Sequence, residues 1–151
     1  YRMLGGIFGR EKEADALCAD FEHAWAALGA LANGLTRQRV LYLIWREPWL
    51  SVARNTYISR MLAAAGWDTL PLASLVRYPE IDLPELAREA EIVFLSSEPY
   101  PFRAKHLHSL TEYLPGTRVA LIDGEMISWY GSRAIRGLAY LRELRASFAE
   151  H

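Results

Sequence analysis

Three short, unbroken apolar runs punctuate the second two-thirds of the chain: Val40-Leu-Tyr-Leu-Ile-Trp45, Glu91-Ile-Val-Phe-Leu-Ser96 and Arg118-Val-Ala-Leu-Ile-Asp123. A strand with one wet face alternates apolar and polar residues. A continuous run marks a strand covered on both faces, as parallel sheets require. Helical patterns or helix-boundary signals separate the runs. Asn55 to Ala65 reads as a helix stopped by Gly66, and Trp67 to Leu70 as a further short strand. Asp82-Leu-Pro-Glu85 is a helix start, with Asp82 as N-cap, Pro84 in the first turn and Glu85 at the capping-box position. Phe102 to Tyr113 reads as a helix closed by Pro115-Gly116, and Ser132 to Phe148 as a final amphipathic helix. Strands alternating with helices predict an α/β fold, a Rossmann-like parallel sheet sandwiched by helices, with right-handed crossovers.

A long helix precedes this pattern. Over Arg10 to Ala32, the residues Ala14, Leu17, Cys18, Phe21, Trp25, Leu28 and Leu31 recur at three- and four-residue steps. Glu11 and Glu13 suit its positive end, and Asn33-Gly34 stops it. At the usual rise it extends about 33–36 Å, more than a small domain needs. Its stripe reads as core or as an interface between lobes, with His23 structural beside it. Two regions follow: residues 1–34 with the long helix, and residues 35–151 with the sheet.

Composition closes off several classes. The chain is 52% hydrophobic and 23% charged, which fits a packed globule rather than disorder. Seventeen basic and eighteen acidic residues leave −1, so there is no basic footprint for nucleic acid. The longest apolar stretch, Ala24 to Ala32, falls short of the ~18 residues that span a bilayer. A single cysteine, Cys18, excludes an internal disulfide framework. The first residue is Tyr, no signal-peptide pattern opens the chain, and Tyr1 to Gly9 reads as the tail of an earlier element.

Ligands of open parallel sheets bind beyond the carboxyl ends of the strands. Here those ends continue as Trp45-Arg46-Glu47-Pro48-Trp49, as Ser97-Glu98-Pro99-Tyr100-Pro101-Phe102 and as Asp123-Gly124-Glu125-Met126-Ile127-Ser128-Trp129-Tyr130. Each carries two aromatics. Six rings converging on one rim, Trp45, Trp49, Tyr100, Phe102, Trp129 and Tyr130, would form an apolar platform for a large flat ligand. The competing reading has them cap the sheet. Arg46, Arg103 and Arg133 stand beside them, either to pair with a ligand acid or as ordinary surface charges.

Signals for catalysis are sparse. No GxSxG occurs, and Gly131-Ser132-Arg133 lacks that elbow. Asp123 and Glu125 form an acid/base candidate, but Asp before Gly at a strand end is more often turn chemistry. His106 and His108 are two apart on a helix and do not share a face, so no metal site is expected from them. Gly5 to Gly9 has neither a strand before it nor the Lys-Ser/Thr of a P-loop.

The order and spacing of several blocks resemble class III periplasmic binding proteins, the substrate-binding components of ABC importers for vitamin B12, ferric siderophores and haem. The blocks are Gly9-Arg-Glu-Lys-Glu-Ala14 opening the long helix, Ile44-Trp-Arg-Glu-Pro-Trp49, Asn55 to Leu62 followed by Ala65-Gly66, Arg77-Tyr-Pro-Glu-Ile-Asp-Leu83, Ile92 to Phe102, Asp123-Gly124, and Ser128-Trp-Tyr-Gly-Ser-Arg133. They span nearly the whole chain.

The resemblance implies two α/β lobes joined by one long helix with the ligand between them. This chain would be the backbone helix plus the C-terminal lobe, with Tyr1 to Gly9 the end of an absent N-terminal lobe. By position, Trp45, Trp49, Tyr78, Tyr100, Trp129 and Arg133 would line the cleft. An acidic residue on the outer face, Glu80 or Glu85, would dock on the permease. The resemblance also implies a periplasmic or extracellular location, with a lipid anchor in some members. It implies a transported metal chelate (cobalamin, haem or a ferric siderophore) and no intrinsic cofactor. A lone lobe would pair with a second copy or with the N-terminal lobe. Two alternatives stay open: a Rossmann-like enzyme using Asp123 and Glu125, and an interaction domain that has lost ligand binding.

Overall fold

Strand β1 (Gln38–Trp45) shows how two-sided burial follows from a continuous apolar run. Successive strand residues point to opposite faces. Val40, Tyr42 and Ile44 therefore enter one core cluster, and Leu41 and Leu43 enter the other. Strand β4 (Ile92–Ser96) repeats the division, with Ile92 and Phe94 on the first face and Val93 and Leu95 on the second.

A computed structural model describes residues 1–149. The chain opens with α1 (Arg2–Phe8) and α2 (Glu11–Asn33), then β1. It continues with β2 (Leu50–Ser51), α3 (Tyr57–Ala64), β3 (Trp67–Leu70) and α4 (Leu83–Ala87). After β4 come α5 (Ala104–Tyr113), β5 (Arg118–Ile122), α6 (Gly124–Ser128) and α7 (Arg133–Ala149). β1 pairs parallel with β4 along one edge, and β4 pairs parallel with β5. The other edge of β1 is divided. β3 pairs parallel with residues 38–41, and β2 folds back antiparallel onto Leu43 and Trp45.

Helices cover both faces of β1 and β4, as expected, whereas the edge strand β5 keeps Leu121 exposed and only Ile122 buried. Leu28 of α2, Met61 and Leu62 of α3, Ile127 of α6 and Leu138, Leu141 and Phe148 of α7 pack on the first face around Trp67 and Phe94. Leu83 and Ala87 of α4 and Leu110 of α5 pack on the second. Thr56 caps α3 by accepting from the Ser59 amide at 3.2 Å. Asp82 caps α4 by accepting from the Glu85 amide at 2.9 Å.

Two features add to what the sequence implies, and two correct it. Tyr1 to Gly9 forms a helix, α1, ended by Gly9 at φ 64°. It folds back on α2, where Arg2 meets Asp15 and Glu22. β2 is only two residues long, too short for any periodic signal. The stretch after Asp123 is the helix α6 rather than a loop. His23 is exposed rather than set into a core, and so are Phe21 and Trp25 of the same stripe; only Ala14, Leu28 and Ala32 of α2 are buried. No helix among the described residues is long and apolar enough to cross a membrane.

Candidate functional site

The strand order decides where a ligand can enter. From β1 the chain crosses through α3 to β3 on one side. From β4 it crosses through α5 to β5 on the other. α3 lies on the first face and α5 on the second, as crossovers of one hand must when they run in opposite directions. The connections therefore diverge above the carboxyl ends of β1 and β4 and leave a crevice there, the usual ligand position in open α/β sheets.

One group of rings forms at this switch point. The Tyr100 amide donates to the Ile44 carbonyl at 3.2 Å, which ties the loop after β4 to the end of β1. Trp45 meets Tyr100 edge-on at 5.6 Å between centroids. Tyr100 leans on Phe102 at 4.6 Å, and Phe102 stacks on Trp49 at 6.3 Å with planes 4° apart. Trp45 is 40% exposed and Trp49 and Tyr100 are half-buried. Phe102 is only 4% exposed, so the expectation that it faces ligand is corrected. It is covered by Trp49 and Tyr100 and supports them from below. The Arg46 guanidinium lies 5.9 Å from the Trp49 ring centre.

A second group forms around α6. Asp123 caps this helix, accepting from the Glu125 amide at 3.0 Å and the Met126 amide at 3.3 Å. That is turn chemistry, and it engages Oδ1 of the carboxylate that the enzyme alternative would use. Trp129 follows α6, with the Arg133 guanidinium 3.4 Å from its ring centre. Tyr57 donates its hydroxyl to the Trp129 carbonyl at 3.2 Å and packs on Tyr130 at 4.3 Å. Glu98 and Pro99, just before Tyr100, join Ser128 and Trp129 in walling a recess of about 310 Å3 floored by Tyr42. The loop after β4 thus touches both groups. Gly124 permits the approach: a Cβ there would collide with Ser96 Oγ and come within 2.9 Å of the Glu98 amide.

Tyr78 lies elsewhere. Its segment runs beside β2, where Ser51 donates to the Pro79 carbonyl and Ala53 to the Arg77 carbonyl. The Tyr78 ring is exposed and stacks on no other ring among the described residues. Glu80 bridges to Leu50 on the same segment, and both Glu80 and Glu85 are exposed. The sequence reading missed Tyr57, which was placed on a helix face without regard to what α6 would bring to it.

Two phenols near the crevice are kept in their neutral form by burial. Tyr42 donates to Ser96 Oγ at 2.8 Å, and burial pushes its phenol well above the usual range. Tyr140 accepts from the Asp123 amide at 2.9 Å and is also raised by burial. His106 accepts the Arg103 amide at Nδ1, 3.0 Å, closing the start of α5. His108 is exposed and faces Glu112. Among the described residues no three His, Cys, Asp or Glu side chains cluster as metal ligands would.

A groove of about 440 Å3 lies away from the crevice. It runs between Leu17, Phe21 and Trp25 of α2, Met61 of α3 and Ala134 and Ile135 of α7. Its walls are mainly apolar. A ligand site needs convergent polar groups as well as apolar area, and these are found at the strand ends.

No protein-family model matches the sequence, and a search of curated proteins finds no match. Solved structures do match. An ABC transporter substrate-binding protein from Listeria monocytogenes superposes with TM-score 0.74 at 18% identity, covering 95% of this chain and 60% of that one. The periplasmic haem-binding protein RhuT from Roseiflexus sp. RS-1 gives 0.72 at 22% identity, covering 99% and 60%. The chain has the periplasmic substrate-binding-protein fold. The periplasmic vitamin B12 binding protein BtuF of Vibrio cholerae shares this fold at TM-score 0.66 and 12% identity, covering 88% and 53%. The chain thus spans about 60% of the length of the first two proteins. The type of protein that the sequence blocks resemble and the type that the fold matches are the same.

Proposed function

We propose that this chain is the long-helix region, residues 1–34, and the C-terminal ligand-binding lobe, residues 35–151, of an ABC importer's substrate-binding component. The ligand class is a metal chelate: haem, cobalamin or a ferric siderophore. One observation carries the reading. Trp45, Trp49 and Tyr100, wet or half-wet, form one ring group at the topological switch point, and Trp129 walls a recess that Glu98 and Pro99 of the same Tyr100 loop share, in a sheet common to substrate-binding proteins. Exposed aromatic area of this kind is unfavourable in water unless a flat apolar surface covers it. Solved structures of this fold include haem and B12 binders, which supports the chelate class.

On this reading Trp45, Arg46, Trp49, Tyr100, Trp129, Tyr130 and Arg133 contact the ligand, with Tyr78 at the margin. Glu80 or Glu85 meets the permease, and the protein works in the periplasm or outside the cell. The opposing wall of the cleft comes from an N-terminal lobe or from a second copy of the chain, seated on the apolar groove of α2. No step of catalysis is assigned, because the Asp123 carboxylate is engaged by backbone amides.

The test is a titration with haemin, cobalamin and a ferric catecholate siderophore, following Trp fluorescence and visible absorbance. Saturable quenching by at least one chelate, weakened about tenfold or more in Trp129→Ala, is the expected result. No response to any of the three chelates removes the receptor reading.

A further inference from the structure

Beside the crevice lies a second, smaller pocket of about 300 Å3 between the β1–β2 turn and α5. It is lined by Arg46, Trp49, His106, Ser109, Leu110 and Tyr113. Trp49 and Leu110 make it apolar, yet two nitrogen-bearing side chains, Arg46 and His106, stand in its wall. The Nε–H of Arg46 is shielded from solvent and has no hydrogen-bond partner. The nearest carboxylate, Glu47, comes to 3.1 Å but out of line for a hydrogen bond, and its side chain is 77% exposed. An N–H shielded from water and without an in-line acceptor is unfavourable, so an acceptor in the pocket would complete it. His106 is 8% exposed. Because its Nδ1 accepts from the Arg103 amide, the ring proton sits on Nε2, which makes that nitrogen a donor. Burial and the neighbouring cations Lys105, Arg46 and Arg103 all lower the pKa of the imidazole. The same cations make the pocket electropositive, and none of its six lining residues is acidic. Ser109 gives its own proton to the Lys105 carbonyl and serves as wall.

We propose that this pocket binds a carboxylate arm of the ligand, held by Arg46 and by the Nε2–H of His106. Trp49 belongs both to this pocket and to the ring series Trp45–Tyr100–Phe102–Trp49. A flat ligand on the exposed rings can therefore place an acid arm here. The proposal rests on the receptor reading for the ligand's body, and it narrows the class to chelates bearing free carboxylates. Once a ligand acid displaces the exposed Glu47, the Arg46 guanidinium beside a neutral imidazole balances one negative charge, which suits a carboxylate.

Two measurements test it. Benzoate, which needs no receptor function, is titrated while the His106 side-chain resonances are followed by NMR. A saturable shift is expected in the native chain, lost in Arg46→Gln with unchanged circular dichroism, and strengthened in Glu47→Gln. Absence of a saturable shift, or a shift indifferent to Arg46→Gln, overturns the pocket. Haemin is then compared with haemin dimethyl ester by absorbance. Haemin is expected to bind about tenfold tighter, and the ratio to fall towards one in Arg46→Gln. Equal affinity for acid and ester overturns the proposed role in ligand recognition. A benzoate shift without binding of any chelate upholds the anion pocket and removes the receptor reading.

Discussion

At the amino ends of the strands, most charged groups meet a partner, although Arg145 Nε has no hydrogen bond. Asp68 accepts from Arg37 at 2.7 and 2.9 Å and from Arg54 at 2.9 Å. Arg145, 3% exposed, donates to Gln38 Oε1 and the Thr36 carbonyl at 2.6 Å and lies 5.3 Å from the Trp67 ring centre. Trp67 donates to the same Gln38 oxygen. At the carboxyl ends the contrast is one of exposure. Trp45 and Trp129 are 40% and 38% exposed, and the Arg46 Nε–H lacks a partner. A sheet needs one end knitted to stay folded, and it can leave the other end incomplete for something that binds there. The difference teaches that the rings of a site are recognised by staying wet and a structural ring by being covered, as Trp67 is; an unpartnered guanidinium Nε occurs at both ends and by itself marks neither.

The contrast can be broken by mutation, beginning with the largest effect. Trp67→Ala at the knitted end removes a ring packed on Phe94 and Phe148. It should cost about 3–5 kcal/mol in urea unfolding; a loss below ~1 kcal/mol would mean that this end is not where stability resides. Gly124→Ala drives a methyl group into Ser96 and the Glu98 amide. About 1–3 kcal/mol should be lost, together with ligand affinity, because α6 and the loop after β4 are forced apart. Trp129→Ala at the open end should change unfolding by less than ~1 kcal/mol and still weaken chelate binding about tenfold. A large stability loss would show that Trp129 is structural after all.

The smallest effect concerns acid. Hydrogen bonds from Arg37, then the charges of Arg37 and Arg54, hold the Asp68 carboxyl below its usual value. Its folded pKa is below its unfolded one, so its contribution is complete above the unfolded value near ~4 and is lost as pH falls through the folded value. Asp68→Asn should therefore flatten the acid limb of the stability curve below about pH 4. The pair is partly exposed, so the change should stay under about 1 kcal/mol. Urea midpoints at pH 7 and pH 3 for both chains check the sign.

Much of the architecture was legible because its causes are local. β1 and β4 announced two-sided burial as unbroken apolar runs, and Asp82 and Asp123 announced turns and caps by their own side chains. The site was legible as a set of loops, since ligands of such sheets collect at strand ends. What could not be read was which rings would touch. Trp45 meets Tyr100 across 55 positions of sequence, and Tyr57 meets Tyr130 across 73. No periodicity reports such pairings. Phe102 looked equal to Tyr100 by spacing, and only packing put one beneath the other.

By itself, then, the sequence determined the strand and helix types, their layering and the identity of the loops at the carboxyl ends, because period-2 burial and capping depend on neighbours a few residues away. The tertiary structure alone decided that β1 and β4 flank the crevice, that Phe102 is hidden and Trp129 wet, and that Arg46 keeps an unpartnered N–H beside His106. Those outcomes depend on strand order and on contacts between distant segments, and such contacts exist only once the chain has closed.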